Sequence, residues 1–170
     1  MGIVYVAEPA HSSGHGEPHM IASWWLNAYA ALHDDVATGA EATVDLDGEN
    51  EVQPDLCLFW HPPRTAQGIH LTADDYIEDA PHLVVEIAGS SAPVDPGRKL
   101  TAYQRNGVLE CVVWLTGERR SERRRLDRDG YVLVQAEGEG MVESAVFPDL
   151  RPNVLAMLSG DRRAMRTALS

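Results

Sequence analysis

The sequence predicts an α/β (α+β) protein: a mixed β-sheet flanked by helices, with a β-hairpin in its C-terminal half. Three observations carry this. Apolar residues recur at helical spacing near the N-terminus, short runs rich in Val, Leu and Ile follow, and the elements come in the order helix, strands, helix, strands, helix.

From Pro18 to His33 the residues Ile21, Trp24, Trp25, Ala28, Tyr29 and Leu32 fall at helical spacing. They predict an amphipathic helix with both tryptophans on its buried face and its end near Asp34. In "EATVDLDGEN", Ala42, Val44 and Leu46 alternate with polar neighbours before a Gly-containing turn, the pattern of a strand entering a tight connection. "DLCLFW", after Pro54, reads as a second strand. "HLVVEIA" reads as a third, and its lack of strict alternation predicts burial on both faces. Asp95 as N-cap, Pro96 as first helical residue and the stop Asn106-Gly107 bound a short helix over 96–106. "LECVVWL" is a further strand, and "RRRLD" and "YVLVQA" form a hairpin around "RDG". Beyond "VFPDL" the tail from Pro152 is expected to be helical. No repeat or heptad pattern interrupts this order.

The chain has 170 residues, enough for a single domain over 1–170, and its 44% apolar and 24% charged residues are those of a soluble globular protein. No window approaches the run of about 20 apolar residues that a membrane span needs, and no secretory leader is visible. A cytoplasmic location is therefore expected. Cys57 and Cys111 lie in apolar runs without CxxC spacing and read as buried thiols rather than a disulfide. A net charge of −12 weighs against an extended nucleic-acid surface, but the charge is uneven. Residues 1–95 hold sixteen carboxylates and one arginine, whereas residues 98–128 hold nine cations and four carboxylates. A polyanion is expected to approach there. The run "RRSERRRLDRDG" fits either a contact with DNA or a solvated edge that discourages aggregation.

Lys99 is the only lysine beside thirteen arginines, and Glu86 interrupts the apolar run Leu83, Val84, Val85, Ile87, Ala88. Asp55 opens one predicted strand and Glu86 nearly closes another, so an antiparallel pairing makes the two carboxylates neighbours. A parallel pairing separates them. Lys99 lies early in the following helix and shares a face with Tyr103 at i,i+4, from which its ammonium can reach back toward Glu86. Two carboxylates and a lysine at a sheet edge suit phosphodiester hydrolysis with Mg²⁺, or Mn²⁺ in its place. Hard oxygen ligands hold the ion, which neutralises phosphate charge and acidifies water. A lysine can orient or deprotonate that water, which an always-charged arginine does poorly. Each residue also has a structural reading: Asp55 as a strand-entry residue, Glu86 as one half of an ion pair, Lys99 as a snorkelling cation. His11, His15 and His19 are four apart, but Gly14, Gly16 and Pro18 argue against the helix that would align them on a metal.

"QPDLCLF", "LVVEIAGSS", "DPGRKLTAYQRNGVLECVVW", "DGYVLVQ" and "ESAVFPDL", in that order, resemble the Uma-two family of restriction endonucleases, also called domain of unknown function 820, within the PD-(D/E)xK nuclease superfamily. The similarity spans roughly residues 15–160. It implies a restriction-endonuclease-like core, Mg²⁺-dependent endonuclease action on DNA, and a homodimer. Asp55 matches the Asp of the PD motif and Glu86 the acidic residue of its second half; both would bind the metal. Ala88 stands where the usual lysine would follow, and Lys99 matches the helix lysine that replaces it in this family. The acidic opening element of many relatives is missing; "HGEPH" resembles the opening of a shorter subgroup, which places Glu17 and His19 at the periphery of the expected site, with Tyr103. Two other functions stay open on the residues alone: a catalytically silent nuclease-fold binding or assembly module, and a hydrolase of RNA or a smaller phosphodiester.

Overall fold

The computed structural model describes residues 12–62, 69–74, 76–89, 95–135 and 141–167. A π-helical turn, Ser12–Gly16, leads into helix α1 (Glu17–Ala30). Strands β1 (Val36–Ala40), β2 (Val44–Asp45), β3 (Glu51–Val52), β4 (Leu56–Trp60), β5 (His70–Leu71), β6 (Ile77–Glu78) and β7 (Leu83–Ala88) follow, and then helix α2 (Asp95–Arg105). β8 (Glu110–Leu115), β9 (Arg120–Asp127), β10 (Gly130–Val134), α3 (Val154–Ser159) and α4 (Arg162–Thr167) come after it.

The main sheet has the order β1-β4-β7-β8-β9-β10 and is mixed: β7 and β8 pair in parallel and its other neighbours are antiparallel. A parallel pair needs a crossover connection, and α2 lies in the one between β7 and β8. Period-two alternation then sorts the side chains. Leu56, Leu58 and Trp60 of β4, Leu83, Val85 and Ile87 of β7, and Trp114 of β8 pack with Trp25, Leu26 and Tyr29 of α1 and with Met157 of α3. On the other face Cys57, Phe59, Val84, Cys111 and Val113 pack with Tyr103 of α2 and with Val44 and Ile77 of the small sheet, whose order is β3-β2-β6-β5. The central strand β7 is buried along its whole length, as its apolar run predicts.

A buried ion pair ties the far end of the sheet to the segment that precedes α3. Arg123 of β9 donates to Glu110 Oε2 at 2.5 Å, and the same carboxylate accepts from Ser144 Oγ at 2.6 Å and from the Ala145 N–H at 2.8 Å. With three donors on one carboxylate, the desolvation cost of the pair is largely offset.

Several expectations are corrected. Trp24 is 42% exposed while Trp25 is buried, because consecutive helical residues point about 100° apart and only one can face the core. Helical structure does extend over His15 and His19, since Gly14 and Gly16 are accommodated in a π-turn and Pro18 sits in the first turn of α1, where it has no ladder bond to break; His11 lies outside the described residues. The segment Val36–Ala40 is a full strand on β4 although its composition is weakly β-forming. Arg123 is neither a DNA contact nor a solvated edge but buried core. Cys57 and Cys111 are free and buried as expected. They flank Val84 from the two neighbouring strands, so their backbones are about 9.6 Å apart, beyond a disulfide's reach.

Candidate active site

β4 and β7 are antiparallel, with Leu56 opposite Val85 as the last pair. One residue further, the register brings Asp55 beside Glu86. Alternation puts both on the face covered by α2, because Glu86 follows the same parity as Val84. The ladder stops here, and the Asp55 side chain takes over: its Oδ2 accepts from the Ile87 N–H at 2.5 Å.

Glu86 is 6% exposed and both of its oxygens are engaged. Tyr103 donates its hydroxyl to Oε1 at 2.6 Å and Lys99 donates Nζ to Oε2 at 3.0 Å. The two donors are one helical turn apart on α2, so a single helix face supplies both. Lys99 Nζ also donates to the Gln53 carbonyl at 2.9 Å, which pins it between the approach to β4 and the end of β7. Burial raises the Glu86 carboxyl above its ordinary range; the Lys99 charge and the Tyr103 hydroxyl draw it back, the Asp55 charge pushes it up, and the net direction is upward. Burial likewise raises the Tyr103 phenol, so it remains a hydrogen-bond donor at any working pH.

The opposite side of Asp55 is occupied by two histidines. His15 Nε2 lies 3.7 Å from Asp55 Oδ1 and its Nδ1 is 3.2 Å from the Ile87 carbonyl; His19 Nε2 is 3.2 Å from the Asp55 carbonyl. The two rings stand 5.7 Å apart. Asp55, Glu86, Lys99, Tyr103 and His19 therefore meet at one sheet end. Glu17 is exposed and borders a different recess with Trp114 and Arg119. His15 is the neighbour that sequence reasoning passed over. The four-residue spacing to His19 was the available signal, and the glycines around it masked the helix.

Carboxylate oxygens are hard donors that suit Mg²⁺ or Mn²⁺. Each Glu86 oxygen accepts one hydrogen bond and keeps a second lone pair. Among the described residues no three His, Cys, Asp or Glu side chains close into a ready metal cage. A pair of carboxylates is nonetheless the usual protein share of a Mg²⁺ site, because that ion retains several waters.

A mixed sheet with a crossover helix over one face, similar in fold to a solved nuclease, places the chain in the restriction-endonuclease-like fold class. The family model Uma2, described as "Putative restriction endonuclease", matches residues 1–158, and the chain belongs to that family. Its structure is similar to the crystal structure of "a putative nuclease belonging to DUF820 from Anabaena variabilis ATCC 29413", with a TM-score of 0.69, 12% identity, and coverage of 91% of this chain and 85% of that one. At that identity the likeness concerns the fold. No match was found among curated proteins. Among the described residues no helix is long and apolar enough to cross a membrane.

Proposed function

We propose that this protein is a metal-dependent endonuclease that hydrolyses phosphodiester bonds in DNA, with Asp55 and Glu86 holding Mg²⁺, or Mn²⁺ in its place, and Lys99 assisting the attacking water. The observation that carries this reading is Lys99 Nζ at 3.0 Å from the buried Glu86 carboxylate, which register sets beside Asp55. When bound, the ion supplies charge neutralisation at the phosphate and acidifies water.

The chain's own groups do the rest. Tyr103 and the Ile87 N–H fix the two carboxylates in place, so little reorganisation is needed when the ion and substrate arrive. Lys99 donates two hydrogen bonds and has a third position at Nζ. That position is an N–H in the ammonium form and a lone pair in the amine form. The same nitrogen can thus donate to a phosphate oxygen or take a proton from water. His15 and His19 hold the helical turn and α1 against Asp55 and the end of β7.

Homodimerisation completes the reading. Between Glu17 and Asp34 the chain carries no Asp, Glu, Lys or Arg, and Met20 and Trp24 are exposed on α1. Two copies of a chain with net charge −12 can meet on this face without opposed carboxylates. Two buried free thiols fit a reducing, cytoplasmic compartment.

The test is titration of Mg²⁺ and Mn²⁺ into wild type and Glu86→Ala, with cleavage of single- and double-stranded DNA scored together. Metal-dependent cleavage is expected in wild type, and a drop of at least about 100-fold in the variant. Equal behaviour of the two proteins at every metal concentration would leave only a binding module.

A further inference from the structure

The outer side of α2 faces the turn between β2 and β3 across an open groove. Its larger part, about 1070 Å³, is bordered by Arg98 and Lys99 on one side and Asn50, Glu51 and Gln53 on the other. It continues, through Asn50, Arg98 and Ala102, into a part of about 340 Å³ between Arg105 and Asp47. Lys99 connects this groove to the site, because its Nζ leaves the groove wall to reach Glu86.

The two walls carry opposite charge. Arg98 and Arg105 are exposed, lie seven residues apart on the same helix face, and form no ion pair among the described residues. Their Cα atoms are roughly 10 Å apart along the axis, the span of a few successive phosphates of one strand. Asp47 and Glu51 stand opposite. Asp47 stays ionised: the Asn50 amide and the Glu49 N–H donate to it and hold its carboxyl below the ordinary range. The turn that carries it is a fixed feature, closed by the Asp47 bonds to the Asn50 N–H at 2.7 Å and by Asp45 bonding the Gly48 N–H at 2.6 Å.

One phosphate line can follow the cationic wall. A second line, which a duplex brings, meets carboxylates. Building on the endonuclease reading, we infer that the substrate is single-stranded DNA, its phosphates tracking Arg105 and Arg98 toward Lys99, and that Asp47 and Glu51 disfavour the duplex.

The experiment is fluorescence anisotropy with a labelled 20-nucleotide strand and the corresponding duplex, in EDTA so that binding is read without cleavage, across a salt series. Wild type is expected to bind the single strand at least tenfold more tightly. Arg98→Ala/Arg105→Ala should lose about tenfold and flatten the slope of log affinity against log salt by about 1.4, the single-strand value for two lost phosphate contacts. Asp47→Asn/Glu51→Gln should narrow the gap by strengthening duplex binding. Circular dichroism checks that these exposed substitutions leave the fold intact. Equal affinity for strand and duplex, or an unchanged salt slope in the arginine variant, overturns the inference. Cleavage assays with Mg²⁺ then separate the two ideas. Single strand cut as well by the arginine variant as by wild type removes the groove and keeps the nuclease. Strand binding that depends on the arginines, with no cleavage under any metal, keeps the groove and removes the nuclease.

Discussion

Tyr103 donates its hydroxyl to Oε1 of Glu86 at 2.6 Å, inside the protein and from the helix that brings Lys99 to the other oxygen. A carboxylate buried in an apolar strand is thereby kept in one orientation at the point where β4 begins. Its two donors come from α2, and α2 is placed by the parallel pairing of β7 with β8.

Removing the hydroxyl isolates its contribution. Tyr103→Phe should lose about 1.5–3 kcal/mol of stability, the usual worth of a hydrogen bond to a charged group. The hydroxyl also favours the ionised carboxylate, so its loss raises the Glu86 carboxyl further. The acid limb of the kcat/KM profile should then move to higher pH, which a merely weakened fold would not cause.

Glu86 also predicts a pH dependence of stability. Its folded carboxyl sits above the ordinary value of about 4.5, so the folded state holds the proton more tightly than the unfolded chain does. The contribution is fully present below pH 4.5 and is lost as pH rises through the raised value. Glu86→Gln, measured by guanidinium denaturation in EDTA, should therefore gain on wild type as pH rises above 4.5 and through the raised value. A variant that gains nothing across it would show that Lys99 and Tyr103 fully compensate the burial. Activity should be lost in the same variant.

Lys99→Arg retains the charge and tests why an ammonium stands here. A guanidinium keeps its proton and cannot fit between the Gln53 carbonyl and Glu86 as a compact donor. Cleavage should fall by about 100-fold with the circular dichroism spectrum unchanged.

Glu110→Gln tests the second buried carboxylate. It leaves Arg123 buried without its anionic partner and weakens the anchor of Ser144 and Ala145. Stability should drop by about 3 kcal/mol. The pH profile of the residual activity should keep its shape, since this pair lies on the other face of the sheet from Glu86.

Trp24→Glu places a carboxylate on the uncharged face of α1. Light scattering coupled to size exclusion should report half the wild-type mass with an unaltered melting profile.

Much of this architecture was legible in the residues. The two-sided burial of β7, the bounds of α2 within one residue and the β9–β10 hairpin follow from apolar runs, caps and turn chemistry, which are local. β1 was not legible, because its "VATGA" has little β character; it forms as a partner of β4. Its Gly39 leaves room there, since a Cβ would stand 2.8 Å from Cys57 Sγ. In the small sheet, β2 was signalled by the alternation of Ala42, Val44 and Leu46, whereas β3, β5 and β6 have two residues each, too few to display a period.

Read along the chain alone, Glu86 is an acid in a buried strand, Lys99 and Tyr103 share a helix face, and Asp55 opens another strand. The antiparallel course of β4 against β7, the seat of α2 over that acid and the place of His15 beside Asp55 come from packing in three dimensions. Alternation along a chain encodes which face a side chain takes. It carries no information about which strand lies alongside or in which direction, because those choices are made by contacts between residues distant in the chain.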